Sequence, residues 1–375
     1  MSEQMEDINL NMEPIIEEED KGQTIMDNPF NPSLINIETQ TLSLYNIISR
    51  LKANPPEIDL YPDFQRRDDL WDDGKQSRLI ESMLISFPLP AFYFDGTNDD
   101  KWLVVDGLQR LSAIRNFVIN QSLALKEMEY IKNLEGLTFD SLQRPLQRKI
   151  EETQIIAYII KSGTPLEVKY NIFRRINTGG LVLEPQEIRH ALNQGLPAQT
   201  VAEIANFTEF KVATEYRIKT DRMLDREFIT RFIAFYLNEP SEYSPDLDSF
   251  LNISMAQIKE LSPEELSILK SDFKEAMKYA RLIFGDWAFR KADLYPHKRK
   301  PINKALFEVW SVNLAKLNNQ QRKQLLANKQ DLMEAFAEMM RDDVKFIRSV
   351  TSGTGSKQQV IERFSKIKNL IKTFL

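Results

Sequence analysis

The sequence predicts an α+β chain with a mixed first part and an all-helical second. Two observations carry this. Up to about residue 197, short apolar runs of strand length alternate with segments of helical period. From Ala198 onward almost every segment repeats its apolar residues at three- and four-residue spacing. The expected organisation is therefore an acidic tail over 1–33, a mixed domain over 34–197 and a helical domain over 198–375.

The first 27 residues hold nine acids against Lys21 alone, a net −8. That leaves +2 for the other 348 residues out of the chain's −6. With no clear apolar period, this stretch reads as a disordered, solubilising tail, or as one that mimics nucleic acid over a basic groove. Then "TLSLYNIISRLKAN" sets Leu44, Ile47, Ile48 and Leu51 on one helical face, and the prolines of "PPEIDLYPDFQRR" stop that helix before a short strand and a loop. "KQSRLIESMLISFPLP" is a second helix, closed by Pro88 and Pro90. "AFYFD" and "KWLVVD", separated by "GTNDD", form a hairpin, and a helix starts directly after Asp106. "TQIIAYII" is a buried strand, "PLEVKYNIFRRIN" a helix with proline at its start, and "EPQEIRHALN" begins another. In the second part, "SPEE" at 262–265 is a capping box with Ser262 as cap and Pro263 first in the helix.

Composition excludes several chemistries. Cysteine is absent, which removes disulfides, thiolate catalysis and Cys-based zinc sites. His190 and His297 are the only histidines, too few for an HNH-type nuclease centre. A metal would have to be a hard ion on carboxylates, such as Mg2+. No apolar run is long enough to span a bilayer. The acidic N-terminus lacks a secretory pattern, so a cytoplasmic location is expected.

The turn "VVDGLQRL" is the sharpest chemical feature. A strand ending in Asp106, a glycine turn at Gly107 and an immediate helix aim first-turn N–H groups at an anion. Arg110 in that first turn can add a charge-assisted phosphate contact, Asp106 can hold Mg2+ or orient a water, and Gln109 can orient a nucleophile. The alternative is that Asp106 caps the helix and Arg110 pairs with it. Gln65, Arg66 and Arg67 lie in a loop and suit either phosphate or the nearby aspartates. Arg174, Arg175 and Asn177 end a helix, and Gly179–Gly180 after them reads as a C-cap or a phosphate loop. Lys298, Arg299 and Lys300, near Trp287 and Phe289, are either a DNA contact or a solvated face. "TSGTGSK" at 351–357 lacks P-loop spacing and reads as a loop before the last helix.

Four blocks together resemble a known family. "VVDGLQRLSAI", "DFQRRDDLW", "SRLIESMLISFPLPAFYF" and "IFRRINTGGLVLEPQEIRHAL" are similar, in order and spacing, to the motifs of domain of unknown function 262. That domain is the N-terminal half of GmrSD-type, modification-dependent restriction enzymes and of related phage-defence proteins. The likeness covers about residues 36–195. The helical remainder resembles, less specifically, the extension of short single-chain members. The resemblance implies a ParB/sulfiredoxin-like fold that binds and hydrolyses a nucleoside triphosphate, with Mg2+ as the metal that the composition allows. Asp106, Gly107, Gln109 and Arg110 then form the motif, Gln65 and Arg66 face it, and Arg175 and Asn177 join the nucleotide site. Leu108 stands where the family signature has its first glutamine. That departure bears on hydrolysis more than on binding, because leucine cannot position a water. The HNH nuclease of two-part members has no counterpart here, so a separate nuclease subunit is the implied partner. Two other readings follow from the same residues: a non-catalytic DNA-binding or partner-regulating scaffold, and a metal-dependent DNA nickase working through the same site.

Overall fold

The computed structural model describes residues 16–17, 32–60, 71–176, 183–244, 246–292 and 300–375. Gln65, Arg66, Asn177, Lys298 and Arg299, all singled out from the sequence, lie outside the described residues. The chain divides into two compact units: Pro29–Leu192, and Asn193–Leu375 together with Met1–Asn28.

The first unit is built on a five-stranded mixed sheet with the order β1-β5-β3-β4-β2. Its strands are β1 (Ile37–Ser43), β2 (Ile58–Asp59), β3 (Phe92–Asp95), β4 (Trp102–Asp106) and β5 (Gln154–Ile160). Its helices are α1 (Leu44–Lys52), α2 (Asp73–Leu84), α3 (Leu108–Ile114), α4 (Arg144–Glu151), α5 (Leu166–Ile176) and α6 (Pro185–Leu192). A π-helical turn, Arg115–Ile119, extends α3. The predicted hairpin is present, with β3 antiparallel to β4 and a register shift between Tyr93 and Phe94.

Alternation along the strands decides which residues form the core. Phe92, Phe94, Val104, Ile155, Ala157 and Ile159 point to one face and join Leu44, Ile47, Ile48 and Leu51 of α1, Ile80 and Met83 of α2, and Leu111 and Ile114 of α3. Each of these side chains larger than alanine contributes about 1.5–3 kcal/mol by its burial. On the other parity stand Tyr93, Asp95, Ile156 and Tyr158. There α5 is tethered to β3 by Lys169, whose ammonium lies 3.0 Å from Asp95 Oδ2 with both side chains nearly buried.

β1 departs from the sequence expectation. The sequence pattern from Thr41 predicts the start of the following helix, yet Ile37–Ser43 pairs antiparallel with β5 along its whole length. The strand buries no residue fully, so it lacks the alternating apolar signal. Its backbone is held by β5.

The second unit is helical, as expected: α7 (Leu196–Ala205), α8 (Thr208–Ala213), α9 (Leu224–Leu237), α10 (Leu247–Gln257), α11 (Pro263–Phe284), α12 (Lys304–Ala315), α13 (Asn319–Ala327), α14 (Lys329–Asp342), α15 (Val344–Thr351) and α16 (Lys357–Thr373). The Ser262–Glu265 capping box starts α11. Aromatic rings fill the core, with Phe228 on Phe307, Phe232 on Phe273 and Phe284 on Trp310, all at centroid distances below 5 Å. Inside it, fully buried Glu308 accepts from Arg231 at 2.5 Å and from Arg363 at 2.7 Å. The predicted tail needs correction at two residues. Ile16 forms a parallel bridge with Ile302, and Glu17 N–H donates to the Ile302 carbonyl at 2.9 Å. Among the described residues, no helix is long and apolar enough to cross a membrane.

Candidate functional site

The site is built where β4 ends and α3 begins. Gly107 turns the chain there at φ 102°, and a Cβ on it would meet Phe92 Cδ1 at 2.5 Å. Only glycine fits this passage, because both the backbone angle and the packing exclude a side chain. The turn leaves Asp106 at the sheet's end and aligns the first N–H groups of α3, which have no carbonyl one turn earlier to donate to.

Arg110 looks inward. Its Nη2 donates to Asp106 Oδ2 at 2.7 Å and to the Ala91 carbonyl at 3.1 Å, and its Nη1 donates to the Pro90 carbonyl. The guanidinium carbon lies 4.3 Å from the centre of the Phe92 ring. Burial lowers the guanidinium pKa, against the Asp106 carboxylate, which raises it. This is the pairing that the sequence reading held as the alternative to a phosphate clamp. Arg110 locks the Pro90–Ala91 passage and the Asp106 rotamer, and its donors are aimed into the domain.

Asp106 is the open member of the pair. Its side chain is 34% exposed, and its Oδ1 has no hydrogen-bond partner among the described residues. Gln109 is partly buried, and its Oε1 accepts from Trp71 N–H at 2.9 Å. Gln76 continues the chain of contacts, donating to the Trp71 carbonyl at 2.7 Å and accepting from Asn116 Nδ2 at 3.0 Å. The helix after Asp106 is thereby tied to the entry of α2. Leu108 packs partly buried against the core on the side of Leu111 and Ile114. Arg174 and Arg175 are exposed in the last turn of α5. In the second unit, Lys300 is exposed.

Two tyrosines escaped the sequence reading. In the sheet register Tyr93 pairs with Asp106 on one side and with Tyr158 on the other. The two rings stack at 4.9 Å with an interplanar angle of 18°. Burial, then the neighbouring Tyr158 and Asp106, push the Tyr93 phenol above its ordinary value. The available signal was parity: Tyr93 alternates with buried Phe92 and Phe94, and Tyr158 with buried Ala157 and Ile159. A polar-tipped aromatic at each outward position marks a face distinct from the core.

Among the described residues, no three acids or histidines converge as a preformed metal site. A Mg2+ ion needs less, since it is commonly held by one or two carboxylates plus substrate phosphates. The half-open Asp106 carboxylate fits that mode.

Comparison with curated proteins and with solved structures returns no match. A family model, described as GmrSD restriction endonuclease, N-terminal domain, matches residues 44–193. The match begins with α1 and ends just beyond α6, and so encloses the β4–α3 turn, the hairpin and α5. Over residues 44–193 this chain is therefore similar to the N-terminal domain of GmrSD restriction endonucleases.

Proposed function

We propose that this chain is the nucleoside-triphosphate-binding and hydrolysing module of a DNA-directed restriction or phage-defence system, acting with a separate nuclease subunit. The observation that carries the reading is the Asp106 carboxylate. It stands at a strand end beside a helix start, with one oxygen held by Arg110 and the other open. A strand end followed at once by helical N–H groups is a favourable place for phosphate.

In this mechanism the residues divide the work by where they point. The N–H groups opening α3 and the exposed Arg175 contact phosphate oxygens, with Arg66 and Asn177 completing the phosphate contacts as the family resemblance implies. Asp106 holds Mg2+ through its open oxygen or orients the attacking water. Mg2+ would supply charge neutralisation on the phosphates. Arg110 is a positioning residue: it sets the Asp106 rotamer and the turn. Gln109 likewise positions the entry of α2, by accepting from Trp71 N–H. Hydrolysis of this kind depends on placement and charge stabilisation, so a small disturbance of the carboxylate has a large effect. With two histidines in the whole chain, DNA cutting by HNH chemistry falls to the partner.

The test is binding and turnover of ATP, GTP, CTP and UTP with Mg2+ by the full chain and by Asp106→Asn and Arg110→Ala. Wild type is expected to bind and turn over at least one of them. Asp106→Asn should retain binding and lose about 100-fold or more in turnover. Arg110→Ala should lose both, because the turn it holds relaxes. Absence of nucleotide binding by wild type, or unchanged turnover in Asp106→Asn, overturns the reading.

A further inference from the structure

The helical unit contains a seat that the chain fills with one of its own carboxylates. Ile302 pairs antiparallel with Arg290 and parallel with Ile16. This register delivers Glu17 between two donors: the Lys291 ammonium and Asn303 Nδ2, the latter at 3.0 Å. Glu17 and Lys291 keep only 26% and 22% of their side chains exposed. Asn303 is 5% exposed and fully employed, donating also to the Val350 carbonyl at 2.8 Å and capping α12 through Leu306 N–H at 2.8 Å. A small cavity adjoins, lined by Glu17, Asn303, Lys304, Ala305, Val350, Thr351 and Thr354.

An ammonium, a buried amide N–H and the start of a 12-residue helix make an anion site. Its occupant comes from 274 residues away in sequence, so it behaves as a tethered ligand. The segment that carries it is a polyanion, at −8 over residues 1–27. Cations nearby in the chain are unneutralised: Lys300, next to the Ile302 bridge, and Arg348 and Lys357, on either side of Val350–Thr354, are exposed with no ion-pair partner among the described residues. Phosphates regularly spaced along a duplex present the same chemistry as this run of carboxylates.

We infer that the Lys291–Asn303 seat is a DNA-phosphate site and that the acidic segment, through Glu17, competes with duplex DNA for it. This concerns the helical unit and is independent of nucleotide binding at Asp106.

Fluorescence anisotropy with a labelled duplex of random sequence, over a salt series, tests it on the full chain. Glu17→Gln removes the charge of the seat's occupant and so weakens its hold on Lys291, whereas Glu3→Gln makes the same change of charge elsewhere in the segment. Glu17→Gln is expected to bind several-fold tighter at low salt, with Glu3→Gln close to wild type. Adding Lys291→Gln to Glu17→Gln should remove the gain and flatten the salt dependence by about one charge. Thermal melts of each variant should stay cooperative, so that the DNA readout is made on folded protein, even where loss of the largely buried Glu17–Lys291 pair lowers the midpoint. Equal effects of the two glutamate variants, a gain that survives Lys291→Gln, or no DNA binding by any variant overturns the inference.

Discussion

Two arginine–carboxylate pairs, one in each unit, have nearly the same bond and opposite surroundings. Glu308 is fully buried, and both its oxygens are taken, by Arg231 and Arg363. Asp106 gives one oxygen to Arg110 and keeps the other at a surface one-third open. A sealed carboxylate can only hold helices together. An open one, oriented by a partner that faces inward, can act on something that arrives. Intermediate in character is Glu81 of α2, 3% exposed, which accepts from the backbone N–H groups of Glu129, Tyr130 and Ile131 at 3.0, 2.7 and 2.9 Å. It is sealed like Glu308 but neutralised by dipoles.

The contrast is sharpest at its sealed end. Glu308→Gln leaves two buried guanidinium groups facing a neutral amide, and should destabilise the helical unit by about 3–5 kcal/mol, read by chemical denaturation. A loss under about 1 kcal/mol would mean that Glu227, which also pairs with Arg231, carries the network alone.

Glu81 gives a pH signature. Burial raises its pKa, and the three N–H donors outweigh burial and hold the carboxyl below its ordinary value. A depressed folded-state pKa stabilises above the unfolded value, and that contribution disappears as pH falls from the ordinary glutamate range through the folded value. Acid unfolding of Glu81→Gln should therefore lose part of the wild-type slope in that window, and its stability at neutral pH should drop by about 1–3 kcal/mol. Parallel pH profiles for wild type and variant would assign the slope to other groups.

The smallest structural effect belongs to the open pair. Asp106→Asn should cost less than about 1 kcal/mol in thermal or denaturant unfolding, since a third of the carboxylate is solvated. A cost matching that of Glu308→Gln would make Asp106 another structural acid, and the comparison would collapse.

Sequence made much of this fold legible. Leu44, Ile47, Ile48 and Leu51, the Pro88–Pro90 stop, the hairpin and the Ser262 capping box are signals local to a few residues, and each element is present. β1 was illegible because its order comes from β5, more than a hundred residues on, and not from its own pattern. At the site, the four-residue spacing of Asp106 and Arg110 allowed an ion pair or a phosphate clamp. The choice rests on the Pro90 and Ala91 carbonyls, which no periodicity places beside an arginine twenty residues later. Tyr93 and Tyr158 become neighbours only through the register of β3 against β5, and Glu17 meets Lys291 only through the bridge to Ile302.

The contact between Gln109 and Trp71 has an asymmetric consequence for how the two positions can drift. The donor is a main-chain N–H and the acceptor a side-chain oxygen. For this bond, position 71 can accept any residue but proline, whereas position 109 needs a side-chain oxygen at glutamine's reach, which glutamate shares and asparagine, one methylene shorter, does not. Such a substitution at 71 would be silent in this linkage, while loss of that oxygen at 109 would unmoor the stretch leading into α2 with every residue of that stretch unchanged.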